Sequence, residues 1–384
     1  MKRKVCVVVT ARPSYARIRS ALYALKERDD IELQIVLTAS ALLERYGRIE
    51  NVIEADGFDI SWRIQSIIEG ESLLSSAKST AIGLAETATA FYNLKPDVVV
   101  SIADRFETIA TAIAAAYMNI PLAHIQGGEV TGSIDDRVRH AVTKLSDLHL
   151  VASKGAAKRV ISMDEHPDSV FVTGCPSVDI AKSSMQSPDL PNDFFHRFGG
   201  VGSSFDVKKD YLVVMQHPVT TEYEDAYMQA EETLKAVAEL DMPALWFWPN
   251  VDAGSDATSK AIRVYRENDK LPKVHFFRNV PPEDFIRILV NSDGIIGNSS
   301  VAIRECSFLG VPAVNIGSRQ TARERGPNVI DVAHDASAIV KAVRTHLNHG
   351  KYPNDPLYGD GTAGVQIADI LATTKLMLKH EHHA

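Results

Sequence analysis

Pro96–Met118 reads PDVVVSIADRFETIATAIAAAYM. Val98–Ile102 is a β-branched run without polar alternation, the pattern of a strand buried on both faces of a parallel sheet. A polar loop follows at Asp104 and Arg105, and alanine-rich helical composition takes over from about Phe106. Strand, polar loop and helix form the repeating unit of an α/β fold, whose ligands collect beyond the carboxyl ends of the strands. Asp104 stands at that point. It serves there either as an N-cap, the commoner use of Asp in this position, or as a reacting carboxylate.

The unit recurs on both sides. Upstream, Val5–Thr10 reads as a first strand, ARPSYAR as its loop and Ile18–Lys26 as its helix, with a strand at Ile31–Leu37 and a helix over Leu73–Leu94 behind them. Downstream, Leu122–Ile125 runs into HIQGGEVTGSIDDRVRH (His124–His140), helical periodicity returns over Arg137–Leu145, and strands follow at Leu148–Ala152 and Val170–Thr173. The alternation predicts a doubly wound first domain over 1–182. Ser, Pro, Asp and Gly dominate 183–209, read as a linker. A second series, with strands at Tyr211–Met215, Leu245–Trp248, Val274–Phe276, Gly294–Ile296 and Val311–Ile316, predicts another α/β domain over 210–362. Helices are expected between those strands near 227–240, 255–267 and 282–291. The segment 363–384 reads as a terminal helix, from Ala363 to about His380, that packs back on the first domain. Two α/β domains in tandem predict a ligand cleft between them.

A length of 384 residues fits two domains, and 45% hydrophobic with 23% charged residues fits an ordinary globular protein. The net charge of -8 argues against a broad nucleic-acid surface, so any phosphate ligand must meet local arginines. Cys6, Cys175 and Cys306 lie far apart without metal-ligand spacing and read as buried thiols of a reducing cytoplasm. The apolar run after MKRK is short and broken by Arg12 and Pro13, a strand rather than a signal peptide. With no apolar run of about 18 residues, neither a membrane span nor a membrane partner is expected. The terminal HEHHA reads as a polar chain end rather than a metal cluster.

Several loops carry candidate chemistry. Arg12 and Arg17 follow the first strand and suit a phosphate, with solvated surface cations as the plain alternative. Gly127-Gly128 leaves the backbone room for close approach to a ligand. In GNSSVAIRECSFLG, Ser299 and Ser300 precede a helix and would meet a phosphate with hydroxyls and N–H groups, or simply cap that helix. Glu305, farther along, could accept from ribose hydroxyls or stay solvated. His217 in MQHPVTTE ends a strand and faces the expected cleft, or is structural. Asn250, Asp252 and Arg278 also fall at strand ends.

Taken in order, ADRFET, HIQGGEVTGSIDDRVRH, MQHPVTTE, PNVDAGS, GNSSVAIRE and GSRQTARE resemble the hydrolysing UDP-N-acetylglucosamine 2-epimerase family, whose members form N-acetylmannosamine for sialic acid synthesis. The match runs from Arg12 to about Glu324. The resemblance implies a glycosyltransferase B-like architecture of two Rossmann-like domains facing a cleft, with the nucleotide held mainly by the C-terminal half. It implies Ser299 and Ser300 at the diphosphate and Glu305 at the ribose. Arg12, Arg105, His217 and Arg319 fall on the phosphate or sugar side. Asp104 and Asp135 match the family's catalytic acids. Where the third carboxylate is expected, this sequence has Gln126.

The implied reaction, UDP loss across C1 and C2 to a 2-acetamidoglucal and then water addition with the opposite C2 configuration, needs a base on one face and an acid on the other. Departure of the diphosphate is eased by arginines and N–H donors, so no metal or other cofactor is expected. A glutamine amide cannot exchange the proton, so that role passes to Asp104, Asp135, His217 or Glu129, or Gln126 marks a branch with another substrate. UDP-N-acetylglucosamine is the expected substrate. The alternatives are a 2,4-diacetamido-2,4,6-trideoxyhexose nucleotide of the legionaminic acid route, a non-hydrolysing 2-epimerase, and a glycosyltransferase-like UDP-sugar-binding protein. By resemblance the protein is a homodimer or homotetramer.

Overall fold

The apolar run of the N-terminus becomes β1 (Arg3–Val9), an interior strand of a seven-stranded sheet. The structure, a computed structural model, describes residues 2–43, 49–68, 73–103, 107–131, 135–249, 254–278 and 280–379, without the side chains of 73, 135 and 220. The chain divides into two units, one formed by the residues up to Asp179 together with Gly359 onward, the other mainly by Ile180–Tyr358.

In the first unit the other strands are β2 (Ile31–Thr38), β3 (Trp62–Ile64), β4 (Val98–Ile102), β5 (Leu122–Ile125), β6 (Leu148–Val151) and β7 (Val170–Val172), in the order β3-β2-β1-β4-β5-β6-β7. All pair in parallel. Successive side chains of a strand leave opposite faces. Val5, Val7 and Val9 therefore join the core under helix Arg19–Lys26 and helix Ala363–Thr373, which supplies Ile367 and Leu371. Cys6 and Val8 face the other layer, with Phe91 of helix Leu73–Leu94 and Ala112 and Ala115 of helix Thr108–Tyr117. A strand covered on both faces has no polar face, which is why its sequence shows no alternation.

The second sheet comprises β8 (Val201–Gly202), β9 (Leu212–Met215), β10 (Ala244–Phe247), β11 (Val274–Phe277), β12 (Gly294–Gly297), β13 (Ala313–Ile316) and β14 (Val329–Val332), ordered β14-β13-β12-β9-β10-β11-β8. Its pairs are parallel except β8 with β11. The protein is thus α/β with two doubly wound sheets, as the alternation predicts.

The stretch 183–209, expected as a linker, lies within the second unit: β8 pairs with the edge of the sheet and Phe194 packs edge-on against Phe277 at 5.6 Å. The terminal helix ends at Thr373, short of the expected His380. Past it, Arg3 Nη1 donates to the carbonyls of Leu371 (2.7 Å) and Thr374 (2.9 Å), so a side chain takes over carbonyls that a longer helix would have satisfied itself. Its other end is held by Asp179, whose carboxylate accepts from the Ala363 N–H (3.0 Å), the Gly364 N–H (2.7 Å) and Ser20 Oγ (2.7 Å). All three cysteines are buried and form no disulfide among the described residues, and burial raises the Cys6 thiol to about 12, so it stays a neutral core group.

Candidate functional site

Strand order places the sites before any side chain is considered. In a doubly wound sheet the crossovers diverge where the order reverses, leaving a crevice beyond the carboxyl ends of the two strands concerned. That point lies between β1 and β4 in the first sheet and between β9 and β12 in the second.

Beyond β1 stands Arg12, the first residue of helix Arg12–Ala16. It is half-buried, and among the described residues it makes no hydrogen bond or ion pair. Burial lowers its pKa, the mark of a cation kept partly out of water without a counter-charge. Arg17, at the end of the same turn, is already engaged within the protein. Beyond β4, Asp104 and Arg105 lie outside the described residues.

The loop after β5 is the one with Gly127-Gly128. Ala103 and Gln126, which end β4 and β5, both adopt left-handed backbone, with φ of 63° and 64°. A side chain in that conformation costs on the order of 1 kcal/mol or more, so two neighbouring strands each spend stability on their exit. His124 ties the exits together: its Nε2 lies 2.9 Å from the Ala103 carbonyl and its Nδ1 3.2 Å from Thr143 Oγ1. A Cβ at Gly127 would sit 2.9 Å from His124 Nδ1, and one at Gly128, where φ is +75°, 2.4 Å from the Ala156 carbonyl. The space that a Cβ would take at these glycines is thus filled by the protein's own side chains and backbone.

Arg139 is almost wholly buried and binds this loop from helix Asp135–Leu145, donating to the Glu129 carbonyl at 2.7 Å and pairing with Asp136. Glu129 is consequently held, buried, at the loop's end. Asp135 begins that helix, but its side chain is not among those described. Gln126 is 1% exposed, and its Nε2 donates to Cys175 Sγ at 2.9 Å.

In the second sheet β9 runs into His217 and β12 into Asn298. The fully buried Asn298 accepts from the His217 N–H at 2.8 Å and donates to the His217 carbonyl at 2.8 Å. Its own carbonyl accepts from Arg319 Nη1 (3.2 Å) and Gln320 Nε2 (2.9 Å). Glu222 accepts from Gln229 Nε2 at 2.7 Å and from Ser318 Oγ. The strings MQHPVTTE, GNSSVAIRE and GSRQTARE are therefore interlocked. His217 is 5% exposed, and burial, with a smaller contribution from Arg319, holds its pKa down at about 3. The imidazole is neutral near pH 7 and suits hydrogen bonding better than proton uptake.

Ser299 caps a three-residue 3-10 turn, Ser300–Ala302, accepting weakly from the Val301 N–H at 3.5 Å. Glu305 does not lie inside the same helix, as expected, but begins a separate five-residue helix, Glu305–Leu309. Elements this short carry little macrodipole, so an anion here would rely on local N–H groups and hydroxyls. Glu305 is half-buried, and its Oε2 has no hydrogen-bond partner among the described residues. Arg278 is exposed at the end of β11, while Asn250 and Asp252 lie outside the described residues. No group of three or more His, Cys, Asp or Glu among the described residues is placed to hold a metal, and no described helix is long and apolar enough to cross a membrane.

Residues 23–372 match the model of the family described as UDP-N-acetylglucosamine 2-epimerase. The chain belongs to this family. UDP-N-acetylglucosamine 2-epimerase relatives include the UDP-N,N'-diacetylbacillosamine 2-epimerase (hydrolyzing) of Legionella pneumophila, 34% identical with 98% of this chain and 97% of the relative covered. The polysialic acid biosynthesis protein P7 of Escherichia coli is 32% identical, over 89% of this chain and 85% of that one. The family fold is seen in the crystal structure of the Neisseria meningitidis UDP-GlcNAc 2-epimerase bound to UDP-GlcNAc, with a TM-score of 0.80 at 17% identity, covering 96% of this chain and 99% of that one. Asn298, Glu222, Gln320 and Arg139 escaped the sequence reading as site-building residues of this epimerase-family chain. The signal available was that each lies inside one of the recurring strings.

Proposed function

We propose that the protein is a hydrolysing UDP-sugar 2-epimerase. The observation that carries this reading is the placement of Arg12 beyond β1 and of the His217–Asn298 pair beyond β9 and β12, at the switch point of each sheet. It is supported by the end-to-end match to a hydrolysing relative at 34% identity. In the first step a carboxylate removes the C2 proton and the C1–O bond to UDP breaks, giving a 2-acetamidoglycal. In the second, water adds its oxygen at C1 and C2 is protonated on the opposite face.

Asp104 and Asp135 are assigned to these proton transfers, with Glu129 as the carboxylate available in place of the one missing at 126. Arg12, Arg105 and Arg319 offset the charge that grows on the departing diphosphate, with Ser299 and Ser300 as its hydrogen-bond donors. Glu305, with an unpartnered carboxylate oxygen, is assigned to ribose hydroxyls. His217 acts as a neutral hydrogen-bonding group, because an imidazole with a pKa near 3 is a poor proton acceptor.

For the sugar we favour a UDP-linked 2,4-diacetamido-2,4,6-trideoxyhexose, the class to which the 34% identical relative's name refers. UDP-N-acetylglucosamine is the second reading, favoured by the description of the family as a whole. Incubation with each nucleotide sugar in deuterated water tests both. The expected result is free UDP and a released sugar of inverted C2 configuration carrying deuterium at C2. An epimer still attached to UDP would replace this reading by a non-hydrolysing one. Release of UDP without deuterium at C2 would exclude the elimination route.

A further inference from the structure

Gln126 combines features that a merely structural glutamine has no reason to carry. Its backbone is left-handed, with φ of 64°, a conformation that glycine or asparagine would adopt at lower cost. Its side chain is 1% exposed, and its two ends are treated differently. Nε2 donates to Cys175 Sγ at 2.9 Å, and that sulfur lies 3.0 Å from Ser177 Oγ, so the amide nitrogen is held by a short chain of partners from the start of helix Pro176–Met185. Oε1 has no hydrogen-bond partner among the described residues. Buried carbonyl oxygens are normally paired, and an orphan beside a strained strand exit asks for a functional explanation.

We infer that Gln126 positions the sugar: with its nitrogen held by Cys175, it presents Oε1 as an acceptor for one N–H or O–H donor of the substrate. This rests on the proposed UDP-sugar epimerase reading. The chemistry fits the residue. A carboxylate at 126 could not donate to the Cys175 sulfur, whereas an amide does so with one end and keeps an acceptor at the other. An amide also neither gives nor takes a proton at neutral pH. Proton exchange at C2 therefore lies with the carboxylates already assigned to it, and Gln126 contributes orientation and selection. A site built to hydrogen-bond one donor discriminates strongly against a sugar that lacks it.

The experiment measures UDP release by wild type, Gln126→Leu and Gln126→Gly, using UDP-N-acetylglucosamine or its 4-acetamido counterpart, whichever wild type consumes, and the inhibition constant of UDP for each. Gln126→Gly relieves the left-handed strain, so it keeps the test available if Gln126→Leu folds poorly. The expected result is a KM raised roughly three- to tenfold in both variants, with kcat within about threefold, an unchanged pH profile and an unchanged UDP inhibition constant. An unchanged KM, or UDP inhibition weakened as much as KM, overturns the inference, because the sugar would then not touch Gln126. A kcat more than about a hundredfold lower at unchanged KM, with an altered pH profile, overturns it by returning Gln126 to the proton path. A wild-type protein that releases no UDP from either nucleotide sugar removes the epimerase reading itself, a result told apart from the others by the wild-type arm alone.

Discussion

Asn298 and His217 exchange two hydrogen bonds, the Asn298 amide accepting from the His217 N–H and donating to the His217 carbonyl, each at 2.8 Å. One buried side chain thereby satisfies both backbone groups of the residue that leaves β9. Asn298→Ala leaves that N–H and that carbonyl buried and unpaired, which costs roughly 2–5 kcal/mol. Asn298→Asp keeps an acceptor but loses the donor. In urea unfolding, Asn298→Ala is expected to lower the midpoint without changing the slope, and Asn298→Asp to fall between it and wild type. Midpoints equal to wild type would show that the pair does not hold the strand ends together.

His217 gives the protein a pH signature. Its folded-state pKa, near 3, lies below the unfolded value of about 6.5, so the unfolded chain binds the proton more readily. The stability owed to the neutral imidazole is complete above about pH 6.5 and is lost progressively as pH falls toward 3. His217→Gln removes this titration. The difference in unfolding free energy between wild type and His217→Gln should depend on pH between about 6.5 and 3 and flatten above that window. A difference that stays constant across the window would show that the imidazole titrates normally.

Gly128 answers to packing. A Cβ there would meet the Ala156 carbonyl at 2.4 Å and Val160 Cγ2 at 2.7 Å, at a φ of +75°. Backbone atoms cannot swing aside as a side-chain tip can, so Gly128→Ala is expected to cost about 2–5 kcal/mol and to lower the melting temperature by several degrees. The atoms nearest a Cβ at Gly127 are side-chain atoms of His124 and Thr143, so Gly127→Ala should cost less. Equal melting temperatures for the two variants would contradict this.

The central strands and the long helices were legible because burial on both faces leaves an unbroken apolar run and helix burial leaves a 3.6-residue period. Val98–Ile102, Leu122–Ile125 and the helices Leu73–Leu94, Ser255–Glu267 and Pro282–Asn291 coincide with their expected bounds. The strands β3, β8 and β14 carry no such run. They are short, lie at or beside sheet edges and are partly exposed, so packing rather than composition decides them. The site was legible as strings and not as partnerships. Nothing local in GNSS announces that Asn298 will bind His217, 81 residues away, and the Gly-Gly pair reads the same whether a ligand or a helix carbonyl fills its space.

Arg12 offers the sharpest separation of stability from function. A half-buried guanidinium with no ion pair among the described residues pays for desolvation without recovering it in the fold, so its place is better explained by an anion than by folding. Arg12→Met keeps the length of the side chain and removes the charge. Its melting temperature should equal or exceed that of wild type, while kcat/KM for UDP release falls by about 10- to 100-fold, the range for loss of a charge-assisted contact to a diphosphate. Arg12→Lys should recover only part of that loss, since an ammonium cannot bridge two phosphate oxygens as a planar fork does. The calorimetric affinity for UDP decides which group the arginine serves. If UDP binds Arg12→Met as tightly as wild type while turnover is lost, the arginine acts on the sugar or on the transition state instead of the resting diphosphate.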